Sequence, residues 1–273
     1  MKNILAITKY TFREALSRKI FLVFFSVSTF ILLLFLAFFL STNIDSMIPM
    51  LQMQGADSNE LVHKIIDSLK VLVVSPLFGV GLFLSIFSAA SFIPAMLEKG
   101  NIEIILSKPI SRSQIIWGKF WGGILIVLLN VAYLIFGLWI LIGFKFGLWD
   151  VGLLYAIVII TYTFAVLYGL MILIGILTQS SLLAMMSTYL IFFILSPLLT
   201  ARDKLEMLIN NNIVNRVIDG LYYIFPKTSE LASYTLNLTI GKNNLELQPI
   251  LSSFLFLILT IYISIIIFNK KDY

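Results

Sequence analysis

The sequence predicts an all-α integral membrane protein, and three observations carry that prediction. Of its 273 residues, 60% are hydrophobic and only 12% are charged, against about 25% charge in an average soluble domain. Mean hydropathy is +1.01, so a water-soluble core is excluded by composition. The apolar residues gather in six runs, 20–40, 71–95, 120–143, 152–177, 182–200 and 249–268, with every Asp, Glu, Lys and Arg at or beyond their ends. As a helix, each run is long enough to cross a hydrocarbon layer of about 30 Å.

Residues 1–19 precede the first span and form an amphipathic interfacial helix. Lys2, Lys9 and Arg13 fall on one face, Leu5, Phe12 and Leu16 on another, and Glu14 follows Arg13. Such a helix lies in the headgroup layer with its cations toward phosphate. Between spans one and two, the second half of 41–70 has helical periodicity from Asn59 to Leu69. Span two then carries Gly81, Ser85 and Ala89 at i, i+4 and i+8, with Ser88 and Ser91 alongside. A small-residue stripe of this kind lets helices approach closely.

The stretch 98–119, EKGNIEIILSKPISRSQIIWGK, interrupts the apolar pattern. Gly100 is a natural helix stop because it tolerates positive φ. Ile102, Ile105 and Leu106 recur at helical spacing with Glu103 and Ser107 opposite, which predicts a short amphipathic helix. Pro109 breaks it, since the residue before proline avoids the α region. Ser111 with Gln114 three residues on reads as a capping box that starts the next helix. Arg112 and Lys119 fall where cations reach headgroups, and Gly118 with Gly122 forms a GxxxG at the start of span three.

Span four carries Tyr155, Thr161, Tyr162, Thr163 and Tyr168. With the hydroxyls of span two, these read either as a lined substrate path or as helix packing with hydroxyls bonded to i−4 carbonyls, and packing is the favoured reading. After span five, 201–248 is the longest segment outside the spans. Ile213, Val217, Ile218 and Leu221 predict one helix there, ended by Pro226, and a second short helix is expected from Ser229 to Leu236.

Six spans place both termini on one side. That side carries eleven Lys and Arg against four acids, the other eight basic and ten acidic residues. The positive-inside rule therefore makes both termini cytoplasmic. The net charge of +5 sits beside the apolar runs, so it matches anionic lipid rather than nucleic acid.

Missing residue types narrow the chemistry. There is no cysteine, and the single histidine, His63, lies in a loop outside the spans, which leaves no zinc or haem set and no serine–histidine pair within the bilayer. No GxxxxGK[ST] occurs, so no nucleotide-hydrolysing loop is expected, and no catalytic, metal or cofactor residue is assigned. With no ionisable residue deep in a span, ion-driven transport is disfavoured. If the chain moves a substrate, the energy comes from a partner acting on 98–119.

The pattern Glu98-x-Gly100-x-x-Glu103-x-x-Leu106-x-x-Pro109-Ile110-x-Arg112, followed by Gly118-Lys119, resembles the cytoplasmic loop of ABC-2-type transporter permeases. The likeness extends to the whole chain, with its basic N-terminal helix, six spans and long segment before span six, and is nearest to compact, NosY-like exporters. It implies that 101–107 is a coupling helix that docks on a separate ATP-binding cassette subunit, which binds ATP and Mg. Glu98, Glu103 and Arg112 would contact that subunit or brace the loop. Residues 1–19 would be a connecting helix, helices in 201–248 would cap the path, and two permeases, most simply a homodimer, would pair with two ATPases in the cell membrane. Substrate and direction do not follow from the resemblance. The alternative is a non-transporting membrane scaffold or signal transducer that anchors a larger complex.

Overall fold

The computed structural model describes residues 2–17, 19–41, 58–107, 109–208, 211–242 and 247–271, and among these there is helix and no strand. Six helical segments are long and apolar enough to cross a membrane. The chain opens with α1 (Lys2–Ser17) and the first span, α2 (Lys19–Ser41). The second span is composite: α3 (Ser58–Pro76), a wide π turn at Leu77–Gly81, then α4 (Leu82–Ala89). Two short helices follow, α5 (Pro94–Leu97) and α6 (Asn101–Leu106). The third and fourth spans are α7 (Arg112–Phe146) and α8 (Gly152–Thr178). The fifth is again composite, α9 (Ser181–Tyr189), a π turn at Leu190–Leu195, and α10 (Ser196–Thr200). Then come α11 (Arg202–Leu208), α12 (Asn212–Ile224), α13 (Thr228–Thr239) and the sixth span, α14 (Leu247–Lys270).

Helix α8 is the hub, packed by α7, α9, α13 and α14. Its sequence is apolar all round, the signature of a helix with no solvent face. Ile160, Phe164, Leu167, Tyr168 and Ile172 are fully buried along it. By contrast α2 leaves Leu22, Phe30, Leu33 and Leu40 exposed, a surface suited to acyl chains or to another copy rather than to water. Both chain ends lie at one end of the bundle, because α1 packs along the start of α7 and Arg112 reaches the last turn of α14.

Two spans depart from the continuous helices expected. The stretch 71–95 is not one helix, and the helix expected over Asn59–Leu69 runs unbroken into it as part of α3. Pro76 explains the interruption: it has no N–H to give the carbonyl four residues back, and the chain widens into a π turn immediately after it. In 182–200 a similar turn at Leu190–Leu195 runs into Ser196-Pro197. Kinks of this type form where proline or an inserted residue breaks the i−4 ladder.

The far segment matches its expected pattern. Helix α12 covers the Ile213–Leu221 periodicity, Pro226 sits in the elbow, and α13 covers Ser229–Leu236.

Candidate functional site

The end that carries both termini is assembled from α1, α5, α6 and the first turns of α7. Ser111 starts α7 with the expected capping box: its Oγ accepts from Gln114 N at 3.3 Å, and Gln114 Oε1 accepts from Ser111 N at 3.3 Å. A cap of this kind contributes about 1 kcal/mol. Because α7 begins at Arg112, Gly118, Lys119 and Gly122 lie inside a regular helix. A Cβ on Gly118 would stand 2.5 Å from Ile7 Cβ, and one on Gly122 would stand 2.6 Å from Thr11 Cβ. The GxxxG is therefore the groove that receives α1. Thr8 Oγ1 donates to Gly118 O at 3.2 Å across this seam.

The same seam buries a charge pair. Lys119, with a side chain only 4% exposed, bonds Glu14 Oε2 at 2.8 Å, and its ammonium lies 5.5 Å from the Tyr10 ring centroid. The α1 seam uses a further face of the helix. Ile7, Thr8 and Thr11 meet α7 and Ala15 is buried, while Leu5 and Leu16, assigned to the lipid-side apolar face, lie exposed on the outside of the bundle and Phe12 is half-buried. The glycines of α7 leave room for the side chains of α1 to approach closely. Lys9 and Arg13 are exposed as expected.

Gly100 has φ +89°, the left-handed region glycine favours. It turns the chain between α5 and α6, with Asn101 Nδ2 donating to Ala95 O at 3.0 Å. Glu98 and Glu103 are exposed, Ile102 is buried, and Ile105 is half-buried against α1. The side chain of Leu106 lies outside the described residues. Ile104, which the periodicity did not single out, is 62% exposed and stands beside Glu103 on the outward face. It also borders a cavity of about 320 Å³ with Ala6, Tyr10, Ile105 and Ile115. An outward β-branched residue among polar ones was the available signal, since it breaks the amphipathic pattern. Asn3 Nδ2 ties the following turn to α1, donating to Gln114 Oε1 at 3.2 Å and to Pro109 O at 3.5 Å.

Arg112 is partly buried and turns toward the end of α14. Its Nη1 donates to the carbonyls of Phe268 at 2.6 Å, Asn269 at 3.2 Å and Lys271 at 2.5 Å. These are the carbonyls a helix C-terminus leaves unmatched, at the negative end of its dipole.

The second region lies at mid-span, where the two π turns meet. The Phe83 and Tyr189 rings stack with centroids 4.6 Å apart, and Tyr189 Oη donates to Phe83 O at 2.8 Å. Phe78 and Phe192, one from each π turn, stand 6.2 Å apart. Turns of this kind recur at functional positions because they trade helical regularity for an adjustable backbone. Pro76 and Pro197 were the signals in the sequence. On the same span, Ser85 Oγ donates to Gly81 O at 2.7 Å and Ser88 and Ala89 are buried, while Ser91 sits in the turn before α5. Tyr162 donates to Ile250 O at 2.6 Å, which joins α8 to α14, and Thr161 is buried beside it. Gly81 meets only Leu77 of its own helix. Ser85 has the i−4 bond of the packing reading, whereas Thr161 Oγ1 is buried with no hydrogen-bond partner among the described residues.

At the far end, Lys70 is buried between Asp67 Oδ1 at 3.1 Å and Asp150 Oδ2 at 2.5 Å. Lys227, in the elbow between α12 and α13, is 3% exposed, and its Nζ has no hydrogen-bond partner among the described residues. It rests 3.8 Å from the Tyr222 ring centroid, and the Arg202 guanidinium stands 3.7 Å from the same centroid. Burial, with the Arg202 charge nearby, holds the Lys227 ammonium below the usual lysine range despite Glu230. Burial likewise pushes the Tyr222 phenol above its ordinary value.

A family model described as "ABC-2 family transporter protein" matches residues 5–273. No curated protein matches the chain.

Proposed function

The chain belongs to the ABC-2 family of transporter proteins, a membrane component of a transporter, and from that premise we propose that it is the permease subunit of an ATP-driven exporter. In this reading ATP and Mg bind to a separate ATP-binding cassette subunit. That subunit docks on the outward face of α6, where Glu103 and Ile104 are presented. Two copies of the permease and two ATPases make the working unit, with both termini cytoplasmic.

One observation carries the proposal: an exposed helix with an apolar residue at its crest is held on a fully braced base. Ile104 is 62% exposed, while the turn beneath it is fixed by Asn101, Asn3 and Arg112. A force applied to α6 would therefore reach α1 and α7 without being lost in local flexing. The π turns of spans two and five, beside the Phe83–Tyr189 stack, would be the place for that displacement to become a change in the path, since such turns are frequent at functional sites. α12 and α13 would cap the path on the far side.

The test is co-purification from solubilised membranes. The ATP-binding subunit should accompany the wild-type permease and be lost on Ile104→Asp, with the variant still folded. A clean wild-type preparation with no ATPase would instead favour the scaffold reading.

A further inference from the structure

Arg112 opens α7 after the short helix α6, and its hydrogen bonds lead to the end of span six and, through Lys271, to span four. Its guanidinium holds the carbonyls of Phe268 and Asn269 in the last turn of α14 and that of Lys271 just past it, at 2.5 Å. The Lys271 side chain in turn reaches α8, its Nζ donating to Ile176 O at 2.7 Å and Leu177 O at 3.1 Å. Those carbonyls end the hub helix, just before Gln179 closes it in the left-handed conformation at φ 54°. Phe268 packs beneath the clasp, fully buried, with the guanidinium 5.7 Å from its ring centroid.

We propose that Arg112 is a positioning residue that clasps the cytoplasmic ends of spans six and four to the coupling loop, with Lys271 as the intermediate link. The hierarchy follows from which atoms are used. Arg112 binds the backbone carbonyl of Lys271, and this fixes where the Lys271 ammonium can stand. Lys271 binds α8 through its side chain alone. Removing the guanidinium frees both helix ends, whereas removing the ammonium frees only one. Both contacts place a cation at a helix C-terminus, where it meets unmatched carbonyls and the negative end of the dipole. Movement of the α6 loop, carried by the start of α7, thereby becomes movement of the cytoplasmic ends of α14 and α8, which pack on one another. The functional half of this inference rests on the permease reading above.

Hydrogen–deuterium exchange on the full chain in lipid nanodiscs decides the clasp without any ATPase. Arg112→Gln should speed exchange about tenfold in both 265–271 and 174–179. Lys271→Met should do so only in 174–179, because the Lys271 carbonyl remains. Arg112→Lys, which keeps the charge, should restore protection at 265–271 in part, separating lost capping from misfolding. Arg112→Gln without effect at 174–179, or Lys271→Met opening both regions equally, would overturn the clasp. In the complex with the ATP-binding subunit, Arg112→Gln should lose most permease-dependent ATPase stimulation while the subunit stays bound. Full stimulation in that variant would overturn the positioning role of Arg112 in coupling. A wild-type permease that binds no ATPase would sink the functional reading, leaving the exchange pattern to decide the clasp alone.

Discussion

Lys119 and Lys227 are both buried lysines, at opposite ends of the bundle, and they are treated differently. Lys119 has a carboxylate at 2.8 Å inside the α1–α7 seam. Lys227 has an aromatic face at 3.8 Å and no hydrogen-bond acceptor among the described residues. An ion pair in a glycine groove has one good geometry, so the terminal end is a frame. A cation over a ring is held by a less directional attraction, and at the far elbow it is the backbone that is fixed, Lys227 N donating to Ser253 Oγ at 3.1 Å and Ser229 N to Ser196 Oγ at 3.0 Å. The terminal end thus holds its buried cation by an ion pair and the far end holds its own by a ring, and the two should answer differently to substitution.

The comparison breaks most visibly at the frame. Lys119→Met removes the ammonium that bonds Glu14 Oε2 in the seam, and losing one member of a buried pair costs up to about 3–5 kcal/mol. A large drop in thermal unfolding temperature, with α1 becoming protease-sensitive, is the expected outcome. Gly122→Ala drives a methyl into Thr11 and should cost about 1–3 kcal/mol as an overpacking change, read by the same assay. Lys70→Met falls below these. Its partners Asp67 and Asp150 are more than a third exposed, and solvent screens what they lose, so about 1 kcal/mol is expected.

Lys227→Met should be the mildest, neutral or slightly stabilising, because the ammonium is held without a hydrogen bond and the isosteric apolar chain keeps the ring contact. pH sharpens the point. The folded state holds Lys227 below its ordinary value, so between the folded and unfolded values the unfolded chain binds more protons. Stability should therefore rise with pH across that window and level off above about 10.5. Lys227→Met should abolish that rise in a melting series on the full chain in nanodiscs. A rise that survives the substitution would assign it to another group.

Much of this was legible in the sequence, and for physical reasons. Gly100, Pro109 and the Ser111–Gln114 box are local rules, set by backbone sterics and by hydrogen bonds three residues apart, and they place α6 and the start of α7. Six apolar runs set six candidate spans, because crossing a bilayer fixes length and polarity together. What could not be read depends on partners distant in sequence. Arg112 meets Phe268, Glu14 meets Lys119, and Tyr189 meets Phe83; nothing local to any of them names the other. The packing face of α1 was not legible for the same reason. Its hydrophobicity marks Leu5 and Leu16, whereas the seam with α7 is made by Ile7, Thr8 and Thr11, opposite Gly118 and Gly122. The widened turns after Pro76 and before Pro197 were signalled by proline, yet their meeting at mid-span is a property of the packed bundle.

In the permease reading a nucleotide-binding partner seats on the crest of α6. The most direct test is a photo-crosslinking residue at position 104 in the full-length permease, with a control at Tyr262, an exposed position on span six. Illumination of native membranes should link position 104, and not 262, to an ATP-binding cassette protein. Crosslinks from 104 only to lipid, or equal labelling from both positions, would contradict it.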